Sequence, residues 1–259
     1  MKIRFFKYQA TGNDFILVDN RPGSLKLSSE QIQQLCDRKF GVGADGLMLI
    51  EKDGSSDFNL VYYNSDGSQS LCGNGSRAAV MFASFLGLVN GRTRFQAFDG
   101  PHDAEIQNDE TVRLRMNDVR EVKKVGNDFF VHTGSPHYIR VIENAEDFPV
   151  VETGRSIRYS ADFQPGGTNV NFVELRDANT VFVRTYERGV ENETLSCGTG
   201  VTAAALAASS FGYTSPVKIR TLGGELSVAF ETVSGQGGAF TNIFLIGPAK
   251  MVFQGELEL

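Results

Sequence analysis

The sequence predicts an α+β fold of two pseudo-symmetric domains, each a β-rich, barrel-like shell around a buried central helix. Three observations lead there: a length of 259 residues, short alternating apolar and polar runs over most of the chain, and a duplicated block that ends in an apolar helix. The length exceeds that of a usual single domain, so two domains of about 120 to 130 residues, each burying its own core, are expected. Residues 15–19, 58–63, 112–116 and 181–186 alternate at the period of half-buried strands, between clusters of Gly, Asn, Asp and Ser.

Helices interrupt this pattern at three places. One starts near Ser28 or Ser29, where a Ser cap followed by Gln31 matches a capping box and Ile32, Leu35, Cys36 and Lys39 fall at helical spacing. Cys36 then lies on the apolar face and reads as a small core residue, since unpaired cysteine is among the most buried residue types. The other two span about 75–89, stopped by Asn90-Gly91, and about 200–211, stopped by Gly212. Both are nearly apolar all round, and a helix without a polar face must be surrounded by protein.

The duplication is local and ordered. A strand at 58–64, a polar loop and Cys72-Gly73-Asn74-Gly75-Ser76-Arg77-Ala78-Ala79-Val80 are matched by a strand at 181–187, a polar loop and Cys197-Gly198-Thr199-Gly200-Val201-Thr202-Ala203-Ala204-Ala205. A weaker echo pairs Gly12-Asn13-Asp14-Phe15 with Thr168-Asn169-Val170-Asn171-Phe172.

Composition excludes several functions. A net charge of −6 without any Lys/Arg-rich run lacks the electrostatic footprint of nucleic-acid binding. The first ten residues do not read as a secretory signal, and the longest apolar stretch, 78–89, is too short to span a bilayer, so a cytoplasmic protein is expected. Cys36, Cys72 and Cys197 form no CxxC pair, which points to reduced thiols and to no metal site.

A helix N-terminus leaves backbone N–H groups unpaired and carries a partial positive charge, so it binds a carboxylate and lowers the pKa of a cysteine placed there. If the two halves face one another, the duplicated termini offer a ligand one sulfur on each side. One thiolate can then remove an amino acid's α-proton while the opposing thiol returns a proton, with the carbanion met by backbone donors and no electron-sink cofactor strictly needed. Singly, each feature has an ordinary reading: a cysteine before a helix is more often structural, Gly-x-Gly usually marks a turn, and asparagines commonly stabilise loops. Glu187 and Arg188 read as an exposed pair, and His102, His132 and His137 as loop histidines. Duplication is what favours chemistry.

At these residues the chain resembles the diaminopimelate epimerase family over nearly its whole length. The resemblance rests on Thr11-Gly12-Asn13-Asp14-Phe15, Gly41-Val42-Gly43-Ala44-Asp45-Gly46, Asn64-Ser65-Asp66-Gly67-Ser68, Cys72-Gly73-Asn74-Gly75, Gly134-Ser135-Pro136-His137, Glu187-Arg188-Gly189 and Cys197-Gly198-Thr199-Gly200. It implies domains at 1–116, with about 249–259 returning to it, and 117–248. It further implies conversion of LL-diaminopimelate to the meso isomer for lysine and peptidoglycan synthesis, without pyridoxal phosphate or metal, in a homodimer. Carried over, Cys72 and Cys197 are the acid/base pair, and Gly73, Asn74, Gly198 and Thr199 cradle the carboxylate at the reacting centre. Asn13, Asn64, Asn169, Glu187 and Arg188 match more distant ligand contacts, Arg188 offering a planar fork to the distal carboxylate. His137 and Glu187 match supports of the thiols. Three departures stand out: Ser135 where family members often carry Asn, Gly46 where some carry Gln, and a loop from Arg188 to Cys197 one residue longer than the common pattern.

Three rival readings remain at this point. A proline racemase-type isomerase usually has His where this chain has Asn74. A cysteine hydrolase pairing Cys72 or Cys197 with His137 explains one sulfur only. A non-catalytic amino-acid binder would keep the helix-end cradle and tolerate loss of the thiols.

Overall fold

The computed structural model describes residues 2–107, 111–177, 179–233 and 238–258. The chain divides into two compact units, 1–114 with 247–259, and 115–246.

In the first unit the pairing order runs from Lys250–Glu258 to Lys2–Ala10, Asn13–Asp19, Gly46–Glu51, Phe58–Asn64, Arg92–Ala97, Gly100–Ile106 and Thr111–Arg115. Successive neighbours are antiparallel, antiparallel, parallel, antiparallel, parallel, antiparallel and antiparallel. The second unit orders Val122–Val125, Asp128–His132, Pro136–Val141, Asn169–Arg176, Thr180–Glu187, Val217–Thr221, Gly224–Thr232 and Phe240–Pro248 with the same succession of directions. The duplication seen around the cysteines therefore extends to the whole topology. The units differ in where the first strand comes from: the second takes it from the segment just before, the first from the end of the chain.

Each parallel pair needs a crossover, and each crossover carries a helix. Helix α1 (Ser29–Cys36) has Ser28 as its N-cap and the expected reciprocal box with Gln31, but it ends before Lys39. Helix α2 spans Gly73–Phe85, starting two residues earlier than expected and stopping at Leu86 because Gly87 turns left-handed at φ +75°, ahead of the Asn90-Gly91 stop. Helix α3 (Val150–Arg158) was not foreseen: it is short, mostly solvent-facing and starts at Pro149 without a side-chain cap, so it leaves little pattern. Helix α4 covers Gly198–Ala208; residues 209–211 tighten into a 3₁₀ turn closed by Gly212 at φ +86°.

Helices α2 and α4 are the centres of their units. Strands from both ends of the pairing order, Lys250–Glu258 and Gly100–Ile106 among them, touch α2, so the sheet wraps it. Arg77, Ala78, Ala79, Val80, Phe82 and Ala83 are fully buried there. Phe82 packs on Phe6 with ring centroids 4.9 Å apart, burial that stabilises by roughly 1.5–3 kcal/mol per ring. In α4 every residue from Gly200 to Ala208 is buried. The outer helices cover smaller clusters: Ile32, Leu35 and Cys36 of α1 pack with Ile16, Leu47 and Leu49, and Val150 of α3 packs with Phe172 and Tyr186. Burial pushes the Cys36 thiol up to about 11, which fits its reading as a core residue. Among the described residues no helix is long and apolar enough to cross a membrane.

Candidate functional site

Cys72 and Cys197 are the N-cap residues of α2 and α4, with nearly the same backbone: φ −126°, ψ 116° and φ −121°, ψ 112°. That extended conformation sets each sulfur beside the unpaired N–H groups of its helix's first turn. The Cys72 sulfur accepts a hydrogen bond from the Gly75 N–H at 3.4 Å, whereas the Cys197 sulfur lies 3.5 Å from the Thr199 hydroxyl. Neither is in a disulfide. The second glycine of each motif lies against a side chain. A Cβ on Gly75 would come within 2.2 Å of Met48 Cε, and one on Gly200 within 2.4 Å of Asn171 Oδ1.

In the first unit Asn74 is buried and its amide donates to Asn13 Oδ1 at 2.5 Å, while Asn13 Nδ2 donates to Asp45 at 2.9 Å. Asp45 and Asp14 are bridged by Arg38, and Lys7 pairs with Asp14 at 2.7 Å. Burial pushes the Asp14 carboxyl up, but hydrogen bonds and charge from Arg38 and Lys7 outweigh it and hold the group below the usual carboxylate range. Asn13, Asn74 and Cys72 are thus brought to one place. Asn64 is engaged otherwise: its amide donates to the Ser68 carbonyl and hydroxyl and accepts from Ser70, which closes the loop leading to Cys72.

In the second unit His137 is wholly buried, and desolvation, followed by the charges of His132 and Arg188, pushes its pKa down to about 3. It is neutral, and its tautomer follows from its neighbours. The Asn171 amide nitrogen donates to His137 Nδ1 at 3.1 Å and to the Tyr138 carbonyl at 3.3 Å, while Asn171 Oδ1 accepts from Thr185. Nδ1 is therefore the acceptor and Nε2 carries the proton. Nε2 lies 2.9 Å from both Thr199 Oγ1 and Ser135 Oγ. With Thr199 accepting, its own proton is available to the Cys197 sulfur. His137 reaches the thiol through Thr199, a hydroxyl relay that keeps the imidazole out of direct contact.

Asn169 joins the same cluster. Its amide nitrogen donates to Pro136 O at 3.0 Å and Ser135 Oγ at 3.3 Å, and its oxygen accepts from the Arg188 main chain at 2.8 Å. Arg188 is half-buried and its fork donates to the Gly166 carbonyl at 3.3 Å, with no ion pair among the described residues. Glu187 ends its strand and accepts from the Thr194 hydroxyl at 2.9 Å.

The three departures acquire physical reasons. Ser135 supplies the hydroxyl that ties His137, Thr199 and Asn169 together. Gly46 has no room for a side chain, because a Cβ would meet Tyr62 Cε2 at 2.4 Å and the Tyr63 carbonyl at 2.6 Å. The longer loop is anchored: Glu191, at φ +56°, takes Arg158 and the Tyr186 hydroxyl, and Glu193 takes a bidentate pair from Arg184 at 2.6 and 2.7 Å.

Sequence reasoning passed over Asn171 and Arg77. A buried charge in an otherwise apolar helix was a visible signal for the latter, and the Thr168–Phe172 echo contained the former. Among the described residues no group of three His, Cys, Asp or Glu is placed to hold a metal. Cavity size does not locate the chemistry: the second unit's cleft of about 1320 Å³, lined by Phe129, Phe211, Phe230 and Phe240 among others, holds neither Cys197 nor His137.

The family model for diaminopimelate epimerase matches residues 5–122 and 129–252. The chain is similar to a diaminopimelate epimerase of Flavobacterium psychrophilum, 48% identical over 97% of this chain and 99% of the relative. It is also similar to one of Chlorobaculum tepidum, 41% identical over 96% and 98%. Among solved structures it shares its fold with a phenazine biosynthesis protein of the PhzF family from Bacillus anthracis, at TM-score 0.77 and 15% identity over all of both chains. It shares it likewise with a hydroxyproline epimerase from Agrobacterium vitis, at TM-score 0.71 and 15% identity over 99% of this chain and 92% of that one. Paired Cys-Gly-x-Gly helix starts in a duplicated topology, with the family model matched over 5–122 and 129–252, place this chain in the diaminopimelate epimerase family.

Proposed function

We propose that this chain interconverts LL-2,6-diaminopimelate and meso-2,6-diaminopimelate, an isomerase step in lysine and peptidoglycan precursor biosynthesis, with Cys72 and Cys197 as its two acid/base groups. The observation that carries the reading is the matched N-cap geometry of the two cysteines. One sulfur, as thiolate, takes the α-proton: an S–H bond forms, the C–H bond breaks, and the electron pair moves into the α-carboxylate. The other sulfur, as thiol, returns a proton to that carbon and is left as the thiolate. Epimerisation thus leaves the pair in the opposite protonation state, and the reverse reaction uses the same groups in exchanged roles.

Main-chain N–H groups of Gly73, Asn74, Gly198 and Thr199 meet the charge gathering on the carboxylate, which is the preorganised stabilisation such a step needs. The reading assigns neither pyridoxal phosphate nor a metal to the reaction. Asn13, Asn64, Asn169, Glu187 and Arg188 are assigned to the remainder of the substrate, Arg188 to its distal carboxylate. His137 and Glu187 support the thiols. Family likeness supports a cytoplasmic homodimer acting on a small molecule without membrane partners, and the absence of a Lys/Arg-rich run in the sequence supports a chain without nucleic-acid partners.

The test is α-deuteration in D2O with LL-diaminopimelate, using reduced protein without added cofactor, beside Cys72→Ala and Cys197→Ala. Deuterated meso product from the native chain, with epimerisation lost in both variants, is expected. No exchange by the native chain sinks the substrate assignment, and proline and hydroxyproline in the same assay then separate a different racemase from a binder.

A further inference from the structure

Arg77 sits five positions after Cys72 on α2 and is completely buried. Its Nη2 donates to the Thr11 hydroxyl at 3.1 Å, but Nε and Nη1 have no hydrogen-bond partner and no carboxylate pairs with it among the described residues. A buried cation with no carboxylate beside it is strongly unfavourable. Burial lowers its pKa only to about 10, so it stays charged at neutral pH.

The fold goes out of its way to keep this group. Thr11 is a β-branched residue at φ +47°, followed by Gly12 at φ +92°, in the two-residue turn that joins Lys2–Ala10 to Asn13–Asp19. A threonine in the left-handed region is strained, and here it supplies the hydroxyl that Arg77 uses. Of the charged groups on the strands packed against α2, Lys7 pairs with Asp14, Asp19 with Arg21 and His102 with Asp99. Tyr8 stays neutral to about 12. The titratable group whose charge acts on Arg77 is Cys72, about 7 Å away along the helix axis. In the second half the equivalent position is Thr202, an uncharged residue whose hydroxyl donates to its own helix at Gly198 O, 2.9 Å away.

We infer that Arg77 is the buried counter-ion of the Cys72 thiolate, so that Cys72 is the resting base and Cys197 rests as the thiol. Two helix starts with the same backbone then carry Arg77 in one and Thr202 in the other, and that difference breaks the symmetry of the pair. Arg77 acts through Cys72 and touches no substrate. Calling Cys72 a base rests on the proposed function, but the charge pairing does not.

The experiment is site-resolved alkylation by iodoacetamide across pH, read by mass spectrometry on the reduced full chain without substrate, with the midpoint of each cysteine's profile as the readout. In the native protein Cys72 is expected to have the lower midpoint. Arg77→Met shifts the Cys72 midpoint upward and slows its alkylation at pH 7 about tenfold, the factor of one pKa unit, without moving Cys197; Arg77→Lys restores much of it. A native Cys197 midpoint below that of Cys72, or a Cys72 profile unmoved in a folded Arg77→Met, overturns the inference. Should Arg77→Met fail to fold, the native order and Arg77→Lys decide. Pairing confirmed by alkylation without α-deuteration of diaminopimelate would leave the counter-ion standing and remove only the substrate reading.

Discussion

At the start of α2 the Cys72 sulfur accepts the Gly75 N–H, and a buried guanidinium lies a turn and a half further on; at the start of α4 the Cys197 sulfur meets the Thr199 hydroxyl, behind which stands a neutral imidazole held by Asn171. The backbones at the two cysteines agree within 5° in φ and in ψ. Duplication has kept the part of the design that main-chain geometry provides, the helix end with its unpaired N–H groups, and has let the polar side chains behind it diverge. A two-base epimerase needs one group ionised and the other protonated at any moment, so unequal surroundings suit it better than a perfect copy.

Removing either sulfur is the most severe disturbance of this pair. Cys72→Ala and Cys197→Ala are each expected to lower epimerisation by about 10³-fold or more, within the range for loss of an acid/base group, in a coupled assay of meso product. Comparable residual activity in either variant would mean that one sulfur suffices.

The Thr199 relay lies in the second half. Thr199→Val deletes the hydroxyl between His137 and Cys197 and should lower kcat about 10- to 100-fold while shifting the Cys197 alkylation midpoint upward and leaving that of Cys72 in place. Equal shifts in both cysteines would remove the distinction drawn between the two ends.

His137 also ties stability to pH in one half. Its folded pKa, about 3, lies below the unfolded value near 6.5, so between those limits the unfolded chain binds a proton that the native chain refuses. Stability is therefore full above about pH 6.5 and falls as pH drops toward 3, by at most about 1.4 kcal/mol per pH unit from this group. Urea unfolding at pH 7 and pH 5 should show the loss, and His137→Gln should shrink it; an unchanged difference would place the acid sensitivity elsewhere.

The second glycines offer a finer contrast. Gly200→Ala pushes a methyl onto Asn171 Oδ1, which is held by Thr185 and cannot give way without disturbing His137, whereas Gly75→Ala meets the flexible end of Met48. Both should destabilise, the first by about 2–3 kcal/mol and the second by about 1, measured by thermal unfolding. Cys36→Ala, at the end of α1 and packed with Ile32, Leu35 and Leu47, should lower stability by about 1 kcal/mol with epimerisation intact.

Much of this was legible in the chain because it is governed by local rules. The Ser28–Gln31 box, the strands at 58–64 and 180–187 and the two cysteine-led helices all follow from side-chain spacing and cap chemistry. Helix α3 was not, since nine residues with few apolar positions and no side-chain cap resemble a loop. The asparagines were legible as a set and ambiguous one by one: Asn64 closes its own loop, while Asn13 meets Asn74 across 61 positions.

The sequence by itself determined the repeat, the helix-end thiols and the family, because these depend on residue order over a few turns and on motifs that survive as strings. Only the tertiary structure decided that His137 is neutral with its proton on Nε2, that Gly46 has no space for a side chain, and that Arg77 is enclosed without a carboxylate. Protonation and charge pairing depend on burial and on atoms brought within about 3 Å from distant parts of the chain, which no local pattern encodes.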